Sequence, residues 1–210
     1  MKKSAILSIL ILVLVSGCFA PLNSVFDNAT LPQKNELRII GSYSGYYGPD
    51  NEEGLIHLND NLGFSLGYGF SDNFNLNFRY EYLDVKYEYD FWGINLASEK
   101  VNYFGLSSKI NLKKDKLALG VPVGVYFADG EYLGIILDPM LYVTFRNSDK
   151  FEFNVIPKAH IGTQDISILP GISMGLGLSK NLDKWAIRPE IGYDGCLYFG
   201  MGMNVNFRKD

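Results

Sequence analysis

Few side chains in this sequence have both the type and the spacing that chemistry needs. His57 and His160 are its only imidazoles, and each reads as a satisfied structural histidine, with Asp165 the one carboxylate near His160. Cys18 and Cys196 are the only cysteines; they show no zinc-type spacing, and Cys196 reads as a small hydrophobic side chain. Asp50, Glu52, Glu53 and Asp60 are acidic but lack the regular ligand spacing and terminal Glu of a calcium loop, so they read as solvated surface. No catalytic residue, cofactor site or metal site is expected. The charges that do follow a pattern are Arg38, Arg79, Glu81, Lys109, Glu152, Lys158, His160, Arg188 and Glu190, each set among small or polar residues at alternate positions.

That alternation is the mark of β-strands. It is clearest over Asn61 to Tyr82, where Phe64, Leu66, Tyr68 and Phe70 alternate with Gly63, Ser65, Gly67 and Gly69. After Ser71-Asp72-Asn73 the beat resumes as Phe74, Leu76, Phe78, Tyr80 and Tyr82 against Asn75, Asn77, Arg79 and Glu81. A three-residue loop keeps Phe70 and Phe74 on one face. The unit recurs to the C-terminus, giving about ten strands, an even number, each long enough for a tilted membrane strand. Connections after the second, fourth, sixth and eighth strands are brief and charged. Those after the first and third, residues 48–60 and 83–100, are long and are expected to be outer loops open to an extracellular ligand. This phase places both ends of the barrel in the periplasm.

The N-terminus carries Lys2 and Lys3, an apolar run from Ala5 to Val15 broken only by Ser8, and then Ser16-Gly17-Cys18. Residues 1–17 read as a secretory signal, too short to span as a helix. Val15-Ser16-Gly17-Cys18 resembles the lipobox of bacterial lipoproteins, which implies lipidation of Cys18; cleavage after Ala20 is the alternative. Either outcome leaves Cys196 without an intramolecular disulfide partner. Residues 18–35, polar and without a period, read as a lipidated tether, and residues 36–208 as the barrel domain. The formal net charge is −4 and there is no basic block beyond Lys113-Lys114, which argues against a nucleic-acid partner.

Whether the apolar rows face lipid or a core decides the rest. The opposite face is rich in Gly, Ser and Asn, as a narrow lumen requires. Aromatic residues also gather at both strand ends, with Phe74, Phe145, Phe151, Trp185 and Phe207 at one and Tyr47, Tyr80, Tyr82, Phe127 and Tyr193 at the other. Against this, Pro122, Pro139, Pro157, Pro170 and Pro189 fall within strands, and each removes a ladder hydrogen bond. The whole region from Glu36 to Phe207 resembles the superfamily of small outer-membrane β-barrel proteins, including opacity-protein and porin-like families of eight to ten strands. YGFSDNFNLNFRYEY carries the likeness.

The resemblance implies a closed, all-β, up-and-down antiparallel transmembrane barrel in a bacterial outer membrane, with the lipid bilayer as its partner. Some barrels of this kind are enzymes. Deacylases place a His and a Ser two apart, whereas His160 is followed by Ile161-Gly162 and His57 by Leu58-Asn59. The expectation is a non-enzymatic barrel whose inward charges form a salt-bridged plug, with Arg38, Arg79 and Glu81 as one cluster and Arg188 with Glu190 as another. The alternatives are a small channel for ions or solutes and a soluble lipoprotein barrel that binds an apolar ligand inside.

Overall fold

The computed structural model describes residues 24–50, 54–86, 89–91, 94–96, 100–162 and 168–208. The signal segment, Cys18 and Asp165 lie outside the described residues. Ten strands follow in chain order: β1 Glu36–Asp50, β2 Gly54–Ser71, β3 Phe74–Val85, β4 Lys100–Lys113 and β5 Leu117–Ala128. They continue with β6, broken into Glu131–Leu137 and Met140–Arg146, then β7 Phe151–Gly162, β8 Ile168–Leu178, β9 Trp185–Tyr193 and β10 Leu197–Arg208. Each pairs antiparallel with the next. β10 pairs back onto β1 from Glu36↔Arg208 to Tyr47↔Leu197. The sheet therefore closes into a barrel and leaves no open edge. A short hairpin, Tyr89–Phe91 with Ile94–Leu96, stands between β3 and β4.

The direction of the apolar rows is unambiguous. Phe64 and Phe70 are 42% and 52% exposed, while Gly67 and Gly69 between them are buried. The inner face is small because the bore is crowded: a Cβ on Gly124 would lie 2.1 Å from the Tyr103 ring, and one on Gly192 2.3 Å from the Tyr198 ring. At the end away from Glu36 and Arg208, here the far end, the interior holds an apolar cluster beside buried polar groups. Tyr46, Leu58, Tyr103, Tyr126, Ile136 and Tyr198 are among the buried side chains that pack there into one cluster.

Four details depart from the sequence expectation or resolve it. Residues 48–60 are largely sheet, not loop: β1 and β2 remain paired to Asp50↔Gly54, and the turn needs Gly54 at φ +96°. Tyr46 pairs with Asn59 and Tyr47 with His57, so Leu58 is a bulge on β2; Leu58 and Asn59 both turn inward and the alternation of β2 breaks there. The β2–β3 turn holds two residues, with Ser71 paired to Phe74, and a bulge between Gly69 and Ser71 restores the offset. Phe70 and Phe74 thus keep one face, with their rings 6.1 Å apart.

The β5–β6 connection, expected to open a loop at Asp129, is a two-residue turn from Ala128 to Glu131. Asp129 and Gly130 adopt φ 48° and 85°, the positive values that a type I′ turn demands at both positions. The β9–β10 loop is the three residues Asp194-Gly195-Cys196, with Tyr193 paired to Leu197 as the odd-numbered spacing requires.

The prolines sit where the ladder is interrupted. β5 pairs with the two halves of β6 through Val123–Ala128 and Leu117–Gly120, so Pro122 falls opposite the break at Asp138-Pro139. Pro157 lies in the matching gap between β6 and β7. Asp138 N donates to Pro122 O at 2.9 Å and Ala159 N to Pro139 O at 3.0 Å, which bridges the defect without a regular ladder. Pro189 occupies the stretch between the two blocks of β8–β9 pairing. Strand prolines are thus tolerated at gaps where no N–H is called for.

Candidate functional site

The site is the bore, and the chain fills it with its own N-terminal segment. Ser24 to Asn35 forms no strand; it enters at the near end, where Asn35 N donates to Gly69 O at 2.8 Å, and climbs to the level of Tyr46. There Ser24 N donates to the Tyr46 hydroxyl at 3.1 Å. This is the described part of the stretch read from sequence as a tether. An irregular segment inside a barrel must find partners for its backbone, and the wall supplies them with side chains. Glu190 accepts from Val25 N at 2.7 Å and Phe26 N at 2.8 Å, and Thr144 Oγ1 from Ala29 N at 2.8 Å. Arg79 donates to Ser24 O. Val25, Ala29 and Leu31 pack against Ala118, Met140, Tyr142 and Ile156 on β5, β6 and β7.

Two glycines make room for it. A Cβ on Gly202 would lie 2.6 Å from Phe26 Cβ, and one on Gly69 only 2.0 Å from Gln33 O.

All nine charges singled out in the sequence point inward, and Arg79 is the least buried of them. Their partners are only partly those expected. Arg79 and Glu81 do pair, but Arg38 turns away to Asp27 Oδ1 at 2.9 Å and Asn206 Oδ1 at 2.9 Å. Lys109 meets Asp27 Oδ2 at 2.7 Å and lies 4.2 Å from the centre of the Tyr142 ring. Arg188 does not pair with Glu190, two residues away; it binds Glu152 on β7 at 2.5 Å, and Glu152 also accepts from Asn28 Nδ2 at 2.8 Å. Gly177 of β8, paired with Glu152, leaves the space between β7 and β9 open for Arg188 to reach across.

Nearer the far end, Lys158 pairs with Asp194 at 2.8 Å. His160 lies between Asp138, 2.8 Å from Nδ1, and Asp194, 3.7 Å from Nε2. These described partners are carboxylates, which fix the orientation of the imidazole. Tyr198 OH links Lys158, Ser173 and Glu190.

His57 sits elsewhere, at the far rim, stacked on Tyr47 and 3.1 Å from Asp60. Lys86 also binds Asp60, and that bond holds its amine above the usual lysine range. The side chains of Asp50, Glu52 and Glu53 lie outside the described residues.

Sequence reasoning missed Asp27, Asn28, Asp138, Asp194 and Thr144. One signal was present: among the nine inward residues, Arg38, Arg79, Lys109, Lys158 and Arg188 outnumber Glu81, Glu152 and Glu190. A buried excess of cations requires carboxylates from elsewhere.

No protein-family model matches the sequence, and no curated protein matches it. Similar solved structures exist. An outer membrane channel from Pseudomonas putida F1 superposes with a TM-score of 0.51 at 10% identity, over 89% of this chain and 100% of that one. The KdgM porin gives a TM-score of 0.45 at 13% identity, over 82% and 99%. Ail, the attachment invasion locus protein of Yersinia pestis, gives 0.39 at 9%, over 83% and 100%. At such identities what is shared with the channel is the fold alone.

Proposed function

We propose that this chain is a non-enzymatic bacterial outer-membrane β-barrel, exported by its N-terminal signal and anchored through Cys18. In this reading its bore is closed in the resting state by residues 24–35, and its role is structural or surface-interacting. One observation carries the membrane assignment. Large apolar side chains are exposed on every strand, among them Leu62 on β2, Leu106 on β4, Ile172 on β8, Met201 on β10 and Phe145 on β6. A belt of that extent around a closed sheet is what lipid requires and what water disfavours. The reverse arrangement, with aromatics inside and glycines and asparagines in water, would mark a soluble binding protein. A bore occupied by the chain's own backbone and paired charges is also a poor chamber for an apolar ligand.

The test is extraction and conductance on the mature protein. The expected outcome is retention in the membrane fraction through alkaline carbonate, heat-modifiable migration after detergent extraction, and quiet planar bilayers. Release by carbonate, or solubility without detergent once Cys18 is replaced, would overturn the membrane reading. A steady open conductance from the wild-type chain would overturn the closed bore.

A further inference from the structure

Asp27 is the one carboxylate that the N-terminal segment brings into the bore, and it is held as an ion-binding site would hold a ligand. Arg38 reaches Oδ1 at 2.9 Å and Lys109 reaches Oδ2 at 2.7 Å, and these cations are 4% and 1% exposed. Both are on the wall, on β1 and β4. The carboxylate is on a segment without strand pairing, held chiefly by separate side-chain contacts. A cavity of about 370 Å³ at the near end reaches Asn28, Thr30, Arg38 and Glu152, so the site is approached from that mouth.

We propose that Arg38 and Lys109 form an anion site for small carboxylates, that Asp27 is its resident occupant, and that withdrawal of the segment opens an anion-preferring bore. Two buried cations left facing each other need a counter-ion, and a dissolved carboxylate offers the same two oxygens that Asp27 does. The segment and a dissolved carboxylate are therefore competitors for one place. With Asp27 gone, Arg38 and Lys109 carry the uncompensated charge at their level of the bore while Arg188 keeps Glu152. The mouth below also holds Glu36, Asp72, Asp115, Asp149 and Asp183, so selection for anions falls to the constriction at Arg38 and Lys109. The pore half of this inference rests on the membrane reading above; the binding half does not.

The test uses the mature chain with Asp27→Ala. In detergent, acetate at fixed ionic strength is expected to raise Tm of Asp27→Ala by about 2–4 °C over chloride, with no such difference in wild type. Adding Lys109→Gln is expected to abolish the gain. In planar bilayers under a KCl gradient, Asp27→Ala is expected to open about ten-fold more often than wild type, with a reversal potential on the chloride side. Asp27→Asn, nearly isosteric, gives a smaller change in the same direction and serves if the alanine variant does not fold. Equal effects of acetate and chloride, or an acetate effect that survives Lys109→Gln, overturn the site. Cation-preferring openings, or a variant that inserts into lipid and stays silent, overturn the pore and leave the membrane reading standing.

Discussion

Gly69→Ala tests whether the N-terminal segment is seated by fit to the wall. Gly69 faces the bore on β2, and a Cβ built there lies 2.0 Å from Gln33 O and 2.6 Å from Pro32 O, both backbone atoms with no flexible side chain to swing aside. Inserting a methyl group into such a site costs about 1–3 kcal/mol. If the cost falls on the seated segment, the ratio of seated to withdrawn forms drops by about 5- to 140-fold, since each 1.4 kcal/mol is about a factor of ten. The assay is hydrogen exchange in lipid nanodiscs. The amides of Val25, Phe26 and Ala29, bonded to Glu190 and Thr144, should exchange faster by that factor, while ladder amides of β2 and β3 keep their rates. Gly41→Ala is the control, because a Cβ there meets nothing within 4 Å. Unchanged exchange at Val25, Phe26 and Ala29, or equal acceleration of the β2–β3 ladder, would refute the reasoning.

Two further substitutions separate the lipid face from the lumen. Leu106→Arg, at the middle of β4 where the side chain is 58% exposed, should cost about 2–4 kcal/mol in urea titrations in liposomes; a soluble barrel would stay within about 0.5 kcal/mol of wild type. Arg188→Met strands Glu152, whose side chain is 1% exposed, and should cost about 3–5 kcal/mol, with Arg188→Met/Glu152→Gln recovering most of it. Additive losses in that double-mutant cycle would show that the pair does not act as a unit.

How much of this was legible in sequence follows from what each signal encodes. Strand number and the side on which Phe64 or Phe70 lies come from a period of two, which is local and survives in a single chain. The bulge at Leu58 of β2 defeats that signal, because one unpaired residue inverts the phase, and residues 48–60 then look like loop when they are largely sheet. Asp129-Gly130-Glu131 reads in sequence as the start of a loop, whereas the structure closes it as a two-residue turn at Asp129-Gly130. The nine inward charges were visible as residues on a face, while their pairings were not. Arg188 reaches Glu152 over Gly177 of the intervening β8, a contact set by strand register and not by spacing along β9. Residues 24–35 were the least legible, since an irregular segment that borrows hydrogen bonds from a wall has no period of its own.

The charge count ties that segment to the barrel. A bore whose wall carries Arg38, Arg79, Lys109, Lys158 and Arg188 against Glu36, Glu81, Glu152 and Glu190 is left with an excess of cations, which no buried interior sustains unpaired. Asp194 and Asp138 answer this at the far end, where they hold Lys158 and His160, because the β9–β10 loop and the break in β6 bring acids inward at the same level. Nothing on the wall does so between Arg38 and Lys109; the acid there arrives on the segment. The wall thus specifies its occupant by charge before any apolar packing is considered. Phe26 then fills space that Gly200 and Gly202 of β10 leave open, and the Pro32-Gln33 backbone fills that left by Gly69 of β2. A segment held by this division of labour is removable by one change of charge or one added methyl group, whereas the ladder around it is not.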